Sequence, residues 1–94
     1  MKIAVIGSGI AGISAAWGLC RQHEVVLFEK ESRLGGHTHT HDIAMGGRNY
    51  RIDSGFIVHN PENYPLFSGF LKELGVPTKA TAISFAVHHR ALGI

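Results

Sequence analysis

Ninety-four residues make one small domain at most, and 45% apolar against 17% charged side chains exclude a disordered chain. Nine Lys and Arg against seven Asp and Glu leave a scattered charge of +2, so no basic stripe or acidic run marks a nucleic acid or other polyanion as partner. The single cysteine, Cys20, excludes an internal disulfide, and with no Asn-x-Ser/Thr site present the expected setting is reducing and cytoplasmic.

Residues 1–6 end in a continuous apolar run, Ile3-Ala4-Val5-Ile6, stopped by Gly7. Such a run suits a strand buried on both faces of a parallel sheet. The stretch from Ile3 to Cys20 follows Lys2 and has only Ser8 and Ser14 as polar side chains, so it also resembles a secretory signal peptide or a marginal membrane span. Gly7, Gly9, Gly12 and Gly18 interrupt it, and glycine is costly inside an uninterrupted helix, so an uncleaved start without a membrane span is expected. Residues 10–22, rich in small side chains, are expected to form a helix lying close on a sheet. Val25-Val26-Leu27-Phe28, ended by Glu29, reads as the next strand, which makes residues 1–29 a right-handed βαβ unit.

The period changes after that. Residues 38–45 and 48–53 flank Gly46-Gly47, a two-residue link suited to a tight hairpin. Asn60-Pro61 is punctuation, and a helix is expected to begin near Tyr64-Pro65, because proline is tolerated in a first turn. Leu66, Phe67, Phe70, Leu71 and Leu74 share one face of it, and Gly75 with Pro77 supplies the stop. Residues 82–88 read as a final strand with Ile83, Phe85 and Val87 on one side.

Gly7-Ser8-Gly9-Ile10-Ala11-Gly12 fits the GxGxxG pattern, directly after the first strand and opening the first helix. Gly7 allows the tight turn, Gly9 lets backbone approach a pyrophosphate, and Gly12 lets helix and strand pack closely. The anion would sit at the helix N-terminus, where unpaired N–H groups and the helix dipole favour negative charge. Glu29 lies 20 residues beyond Gly9, where a carboxylate can accept hydrogen bonds from both ribose hydroxyls of an adenosine. It would repel a 2′-phosphate, which argues against NADP. The alternative is a glycine-rich turn followed by an ordinary surface glutamate. The expected fold class is α/β: a Rossmann-like βαβ dinucleotide-binding unit, then a β-hairpin, a helix and a strand. Its parallel strands lack neighbours, so residues 1–94 are expected to form an incomplete FAD/NAD(P)-binding domain at the front of a longer protein.

Beyond Glu29, Gly35-Gly36 can bring bare backbone near a cofactor while Arg33 supplies a fixed cation for a phosphate. The run Glu29-Lys30-Glu31-Ser32-Arg33-Leu34-Gly35-Gly36-His37-Thr38 resembles the segment after the second strand in GG-doublet flavoproteins, the group of amine oxidases, phytoene desaturases and protoporphyrinogen oxidases. Tyr50-Arg51-Ile52-Asp53-Ser54-Gly55-Phe56 is similar to the hairpin strand and Asp-x-Gly turn that these proteins place beside the flavin. The run through Phe85 looks most like a bacterial branch of NAD/FAD-binding, amine-oxidase-like proteins, so the resemblance covers nearly all of this chain and the amino-terminal part of the family's proteins. It implies FAD bound through its ADP half by Gly7, Gly9, Gly12, Glu29 and Arg33, with Gly36, His37 and Gly55 nearer the pyrophosphate, ribityl or ring. Ser8, Ile10, Ala11, Lys30 and Gly35 complete the implied cofactor-binding set. His37 stands where many relatives carry Arg, so one phosphate contact is expected to be weaker. The family's carboxy-terminal flavin motif and substrate domain have no counterpart here, and no catalytic residue can be named.

His37, His39 and His41 alternate and would share a strand face, but no Cys or carboxylate pattern completes a metal site, and none is expected. Cys20 reads as a small buried side chain rather than a nucleophile. Trp17 is either core or an interface anchor. Phe67, Phe70 and Leu74 are core by default, or else an exposed patch that drives self-association. The resemblance therefore implies an oxidoreductase that passes a hydride from a small-molecule substrate, held by a further domain, to flavin. An NAD-dependent dehydrogenase domain and a non-catalytic nucleotide-binding module are the alternatives.

Overall fold

The computed structural model describes residues 1–94 and begins with the expected βαβ unit. β1 (Lys2–Ile6) and β2 (Glu24–Phe28) pair in parallel, with Lys2 opposite Glu24 and Ile6 opposite Phe28, and α1 (Ile10–Leu19) crosses between them. The two strands are short apolar runs whose side chains alternate between faces. Ile3 and Val5 therefore share one face with their partners Val25 and Leu27, and α1 rests there, with Gly12 beside Val5. The opposite face carries Ala4, Ile6, Val26 and Phe28 uncovered, Ile6 being 78% and Phe28 53% exposed.

The long apolar run thus splits at Gly7 into a strand and a helix, and no helix is long and apolar enough to cross a membrane. α1 stops at Leu19, three residues short of the expected end at residue 22. The amides of Gln22 and His23 both turn back to the Leu19 carbonyl, and Glu24 N–H then bonds Met1 O at 3.0 Å to start β2. The short connection to a strand beside β1 sets the helix end here, not the helix propensity of residues 20–22.

β3 (Thr38–Met45) and β4 (Arg48–Gly55) form the expected antiparallel hairpin, Met45 opposite Arg48. Gly46 and Gly47 both take positive φ, 60° and 75°, as a tight turn matched to strand twist requires. α2 (Pro65–Leu74) starts on its proline and ends where Gly75, at φ 70°, turns its amide back to Leu71 and Lys72. α2 is tied to α1 through Glu73, which accepts from Trp17 Nε1 at 3.1 Å and pairs with Arg21. Trp17 therefore joins the two helices, although it is 39% exposed.

Three further expectations fail. No strand forms over residues 82–88: residues 76–89 hold no helix or strand, and the one later element is a 3-10 turn at Arg90–Leu92. Extended backbone becomes a strand only when its N–H and C=O groups meet a neighbour, and none lies alongside. Cys20 is exposed, not buried, with its thiol on the Trp17 carbonyl. Phe67, Phe70 and Leu74 form no closed core, since the single buried residue of the chain is Ser8.

Candidate functional site

At the carboxyl ends of β1 and β2 the chain makes its sharpest turn. Gly7 continues the ladder, its amide bonding Phe28 O at 2.7 Å, and then takes φ +93°, open to glycine and strained for other residues. Gly9 caps α1 in an extended conformation with no side-chain partner. The first helical bond runs from Ile13 N–H to Gly9 O at 3.0 Å, so the amides of Ile10, Ala11 and Gly12 have no intrahelical acceptor. A Cβ on Gly12 would run into the Gly7 carbonyl, whereas one on Gly9 would meet nothing within 4 Å. The helix start is pressed onto the strand at Gly12 and open at Gly9, the form of an anion site made of backbone amides.

Ser8, between these glycines, turns inward and is fully buried. Its N–H donates to Glu29 Oε2 at 2.8 Å and its hydroxyl donates to the same oxygen. Glu31 N–H donates to Oε1 at 3.1 Å. These donors, the Ser8 hydroxyl foremost, hold the Glu29 carboxyl at about 2, down from 4.5, so it is ionised at every ordinary pH.

The second glycine pair folds back onto the first. Gly35 N–H donates to Ser8 O at 3.0 Å and reaches Ser8 Oγ at 3.3 Å. Gly36 lies so close to Gly9 that a Cβ on it would stand 2.9 Å from Gly9 Cα. Arg33 clamps this loop from within, its guanidinium donating to the carbonyls of Leu34 and Thr38 at 3.1 Å and of Gly36 at 2.8 Å. His37 follows at the open end of the hairpin, its carbonyl against Gly55, where φ is +74° and a Cβ would collide with it.

The structure therefore gathers Gly7, Ser8, Gly9, Ile10, Ala11, Gly12, Glu29, Arg33, Gly35 and Gly36 in one place, with His37 and Gly55 adjoining. The Lys30 ammonium stands apart, exposed and 3.9 Å from Glu31, while its backbone amide favours the charged form of Glu29. Sequence reasoning missed three contributors, the Glu31 amide and the Leu34 and Thr38 carbonyls. All act through backbone, for which residue type carries no signal. On β3, the His39 and His41 rings lie against each other with centroids 3.7 Å apart and planes tilted by 32°, and His41 Nε2 meets Ser54 Oγ at 2.8 Å. No group of three His, Cys, Asp or Glu side chains converges to hold a metal ion. The gathered residues can seat an anion on the α1 amides and accept a hydroxyl at Glu29.

Comparison with known proteins bears on this arrangement. The family model for the NAD(P)-binding Rossmann-like domain matches residues 5–74. A flavin-dependent L-tryptophan oxidase, RebO, of Lentzea aerocolonigenes is 49% identical over 47 residues, covering 49% of this chain and 10% of the oxidase. A 4,4'-diapophytoene desaturase (4,4'-diaponeurosporene-forming) of Staphylococcus aureus strain Newman is 54% identical over 37 residues, 38% of this chain and 7% of the desaturase. The chain thus spans a tenth or less of the length of these relatives.

Proposed function

Because the chain belongs to the NAD(P)-binding Rossmann-like domain family, we propose that it is the FAD-binding amino-terminal segment of a flavin-dependent, amine-oxidase-like oxidoreductase of the GG-doublet group. The observation that carries this reading is the seating of Gly36 on Gly9, with Gly35 bonded to Ser8. A site for an NAD dinucleotide needs the first glycine loop and Glu29, but has no need of a second glycine pair locked onto it. The likeness to a flavin-dependent oxidase agrees with it.

The residues present fit such a cofactor. The Ile10, Ala11 and Gly12 amides would hold the pyrophosphate, Gly9 leaves room for its approach, and Glu29 would accept from the adenosine ribose. Arg33 acts by holding the doublet loop in place. His37 and Gly55 lie at the hairpin end beside that loop, on the side expected to face the rest of the cofactor. Bound flavin supplies the hydride-accepting chemistry. Substrate contacts, and the groups that tune the flavin, would come from residues outside this segment, and the protein would work in the cytoplasm.

Titration of the purified protein with FAD, AMP and NAD tests the reading. FAD binding clearly tighter than AMP, by about tenfold or more, is expected if the doublet loop and hairpin end reach past the ADP half. FAD and AMP binding equally, or NAD binding tightest, would overturn it in favour of a plain adenylate site or a dehydrogenase domain.

A further inference from the structure

Resting on that reading, we propose that Ser8 is a positioning residue that loads Glu29 from one side, so that the carboxylate receives a single ribose hydroxyl, on Oε1.

A carboxylate free on both oxygens would take both hydroxyls of a ribose, one on each. Glu29 is not free on both. An ionised carboxylate offers about four lone-pair positions, two on each oxygen. Both positions on Oε2 are taken, one by Ser8 N–H at 2.8 Å and one by the Ser8 hydroxyl. Oε1 has already accepted from Glu31 N–H at 3.1 Å. The Lys30 amide lies close enough to favour the charged form without reaching hydrogen-bond geometry, so one position on Oε1 remains.

The Ser8 hydroxyl is itself fixed. It is fully buried, with no access to water. Gly35 N–H points at its oxygen from 3.3 Å, so that side of the hydroxyl is an acceptor and its one proton goes to Glu29. Ser8 thus joins three segments: the first glycine loop, the end of β2, and the doublet loop through Gly35. The order of events is physical: the doublet loop orients the hydroxyl, the hydroxyl occupies Oε2, and the carboxylate turns its one open position outward. The low proton affinity of Glu29, caused first by this hydroxyl, agrees with the geometry.

Two measurements test the proposal, one of them needing no ligand. A 13C titration of the Glu29 carboxyl should place its pKa near 2 in the unaltered protein, and Ser8→Ala should move it up towards 4.5, while Ser8→Thr leaves it low. Binding of ADP, 2′-deoxy-ADP and 3′-deoxy-ADP is then compared. One analogue should lose about tenfold against ADP and the other about twofold or less, since one hydroxyl alone meets the charged acceptor. In Ser8→Ala, where Oε2 opens, both analogues should lose affinity; Ser8→Thr should keep the one-sided pattern. Ser8→Cys, a weak donor of similar shape, serves where Ser8→Ala does not fold.

Equal losses for the two analogues in the unaltered protein, or a Glu29 titration and analogue pattern unmoved by removing the hydroxyl, would overturn the proposal while leaving the dinucleotide site standing. A low Glu29 pKa together with no affinity for ADP would instead overturn the dinucleotide reading, and the ribose assignment with it.

Discussion

Arg33 spends its guanidinium on three backbone carbonyls, those of Leu34, Gly36 and Thr38. From the sequence its expected partner is a phosphate; in the fold its guanidinium donates to the loop, bonds that support a role in holding the doublet against Gly9. A planar fork with several fixed donors suits three carbonyls at once, and a lysine ammonium, a point charge on a flexible stem, does not replace it. Arg33→Ala should therefore weaken FAD binding by roughly tenfold, and Arg33→Lys should recover little of that loss, as read by fluorescence titration. Full recovery with lysine would mean that charge, not loop geometry, is what the site needs. The turn at Gly7 and the close packing at Gly12 were legible because each is set by immediate neighbours in the chain. The meeting of Ser8 with Glu29, and of Gly36 with Gly9, was not. Each depends on the parallel register of β1 and β2 and on a loop closing over 20 or more residues, and neither Ser8 nor Gly36 announces its partner by type.

Among the elements, the β3–β4 hairpin is the one whose stability should answer to pH. The His39 and His41 rings lie together on one face of β3, and Arg33 lies near enough to act on His39. Partial burial first, then the Arg33 and His41 charges, pushes the His39 pKa below its ordinary value of 6.5. A histidine that takes a proton less readily when folded favours the unfolded hairpin in acid. Stability is thus undiminished above pH 6.5 and falls as the pH drops through that value, where the unfolded imidazole gains its proton first. Amide hydrogen exchange across β3 and β4, corrected for intrinsic rates, should show weaker protection at pH 5.5 than at pH 7.5, and His39→Gln should remove most of the difference. Protection that is unchanged, or greater in acid, would contradict this account. Both helix starts and the hairpin turn could be read from sequence, since Gly9, Pro65 and Gly46-Gly47 are local signals. The strand expected over residues 82–88 could not be settled that way. Alternating Ile83, Phe85 and Val87 give a suitable pattern, but pairing needs a neighbouring strand that no local pattern supplies.

On the scale of the whole molecule, the chain spreads its apolar groups over surfaces instead of enclosing them. Its radius of gyration is 18.0 Å, against about 12 Å for a compact domain of this length. The α/β class was evident from the order of apolar runs, yet composition suggested a core that the fold does not close. The outer face of the β1–β2 sheet leaves Ile6 and Phe28 uncovered, and a parallel sheet is normally covered on both faces. A patch of this kind is satisfied by another apolar surface, so by itself the chain should self-associate through it. Sedimentation velocity should then show mass rising with concentration above the 10.2 kDa of one chain. Burying a large apolar side chain contributes about 1.5–3 kcal/mol, so Ile6→Lys with Phe28→Lys should weaken association by at least tenfold. Phe85→Lys, in the segment without regular structure, should change it little, although Phe85 is 91% exposed. A monomer at every concentration would mean that this face stays in water unaided. Equal effects of the two substitutions would place the contact elsewhere. The sheet-face pair alone dispersing the assembly would show that the surface left bare behind the dinucleotide site drives the association.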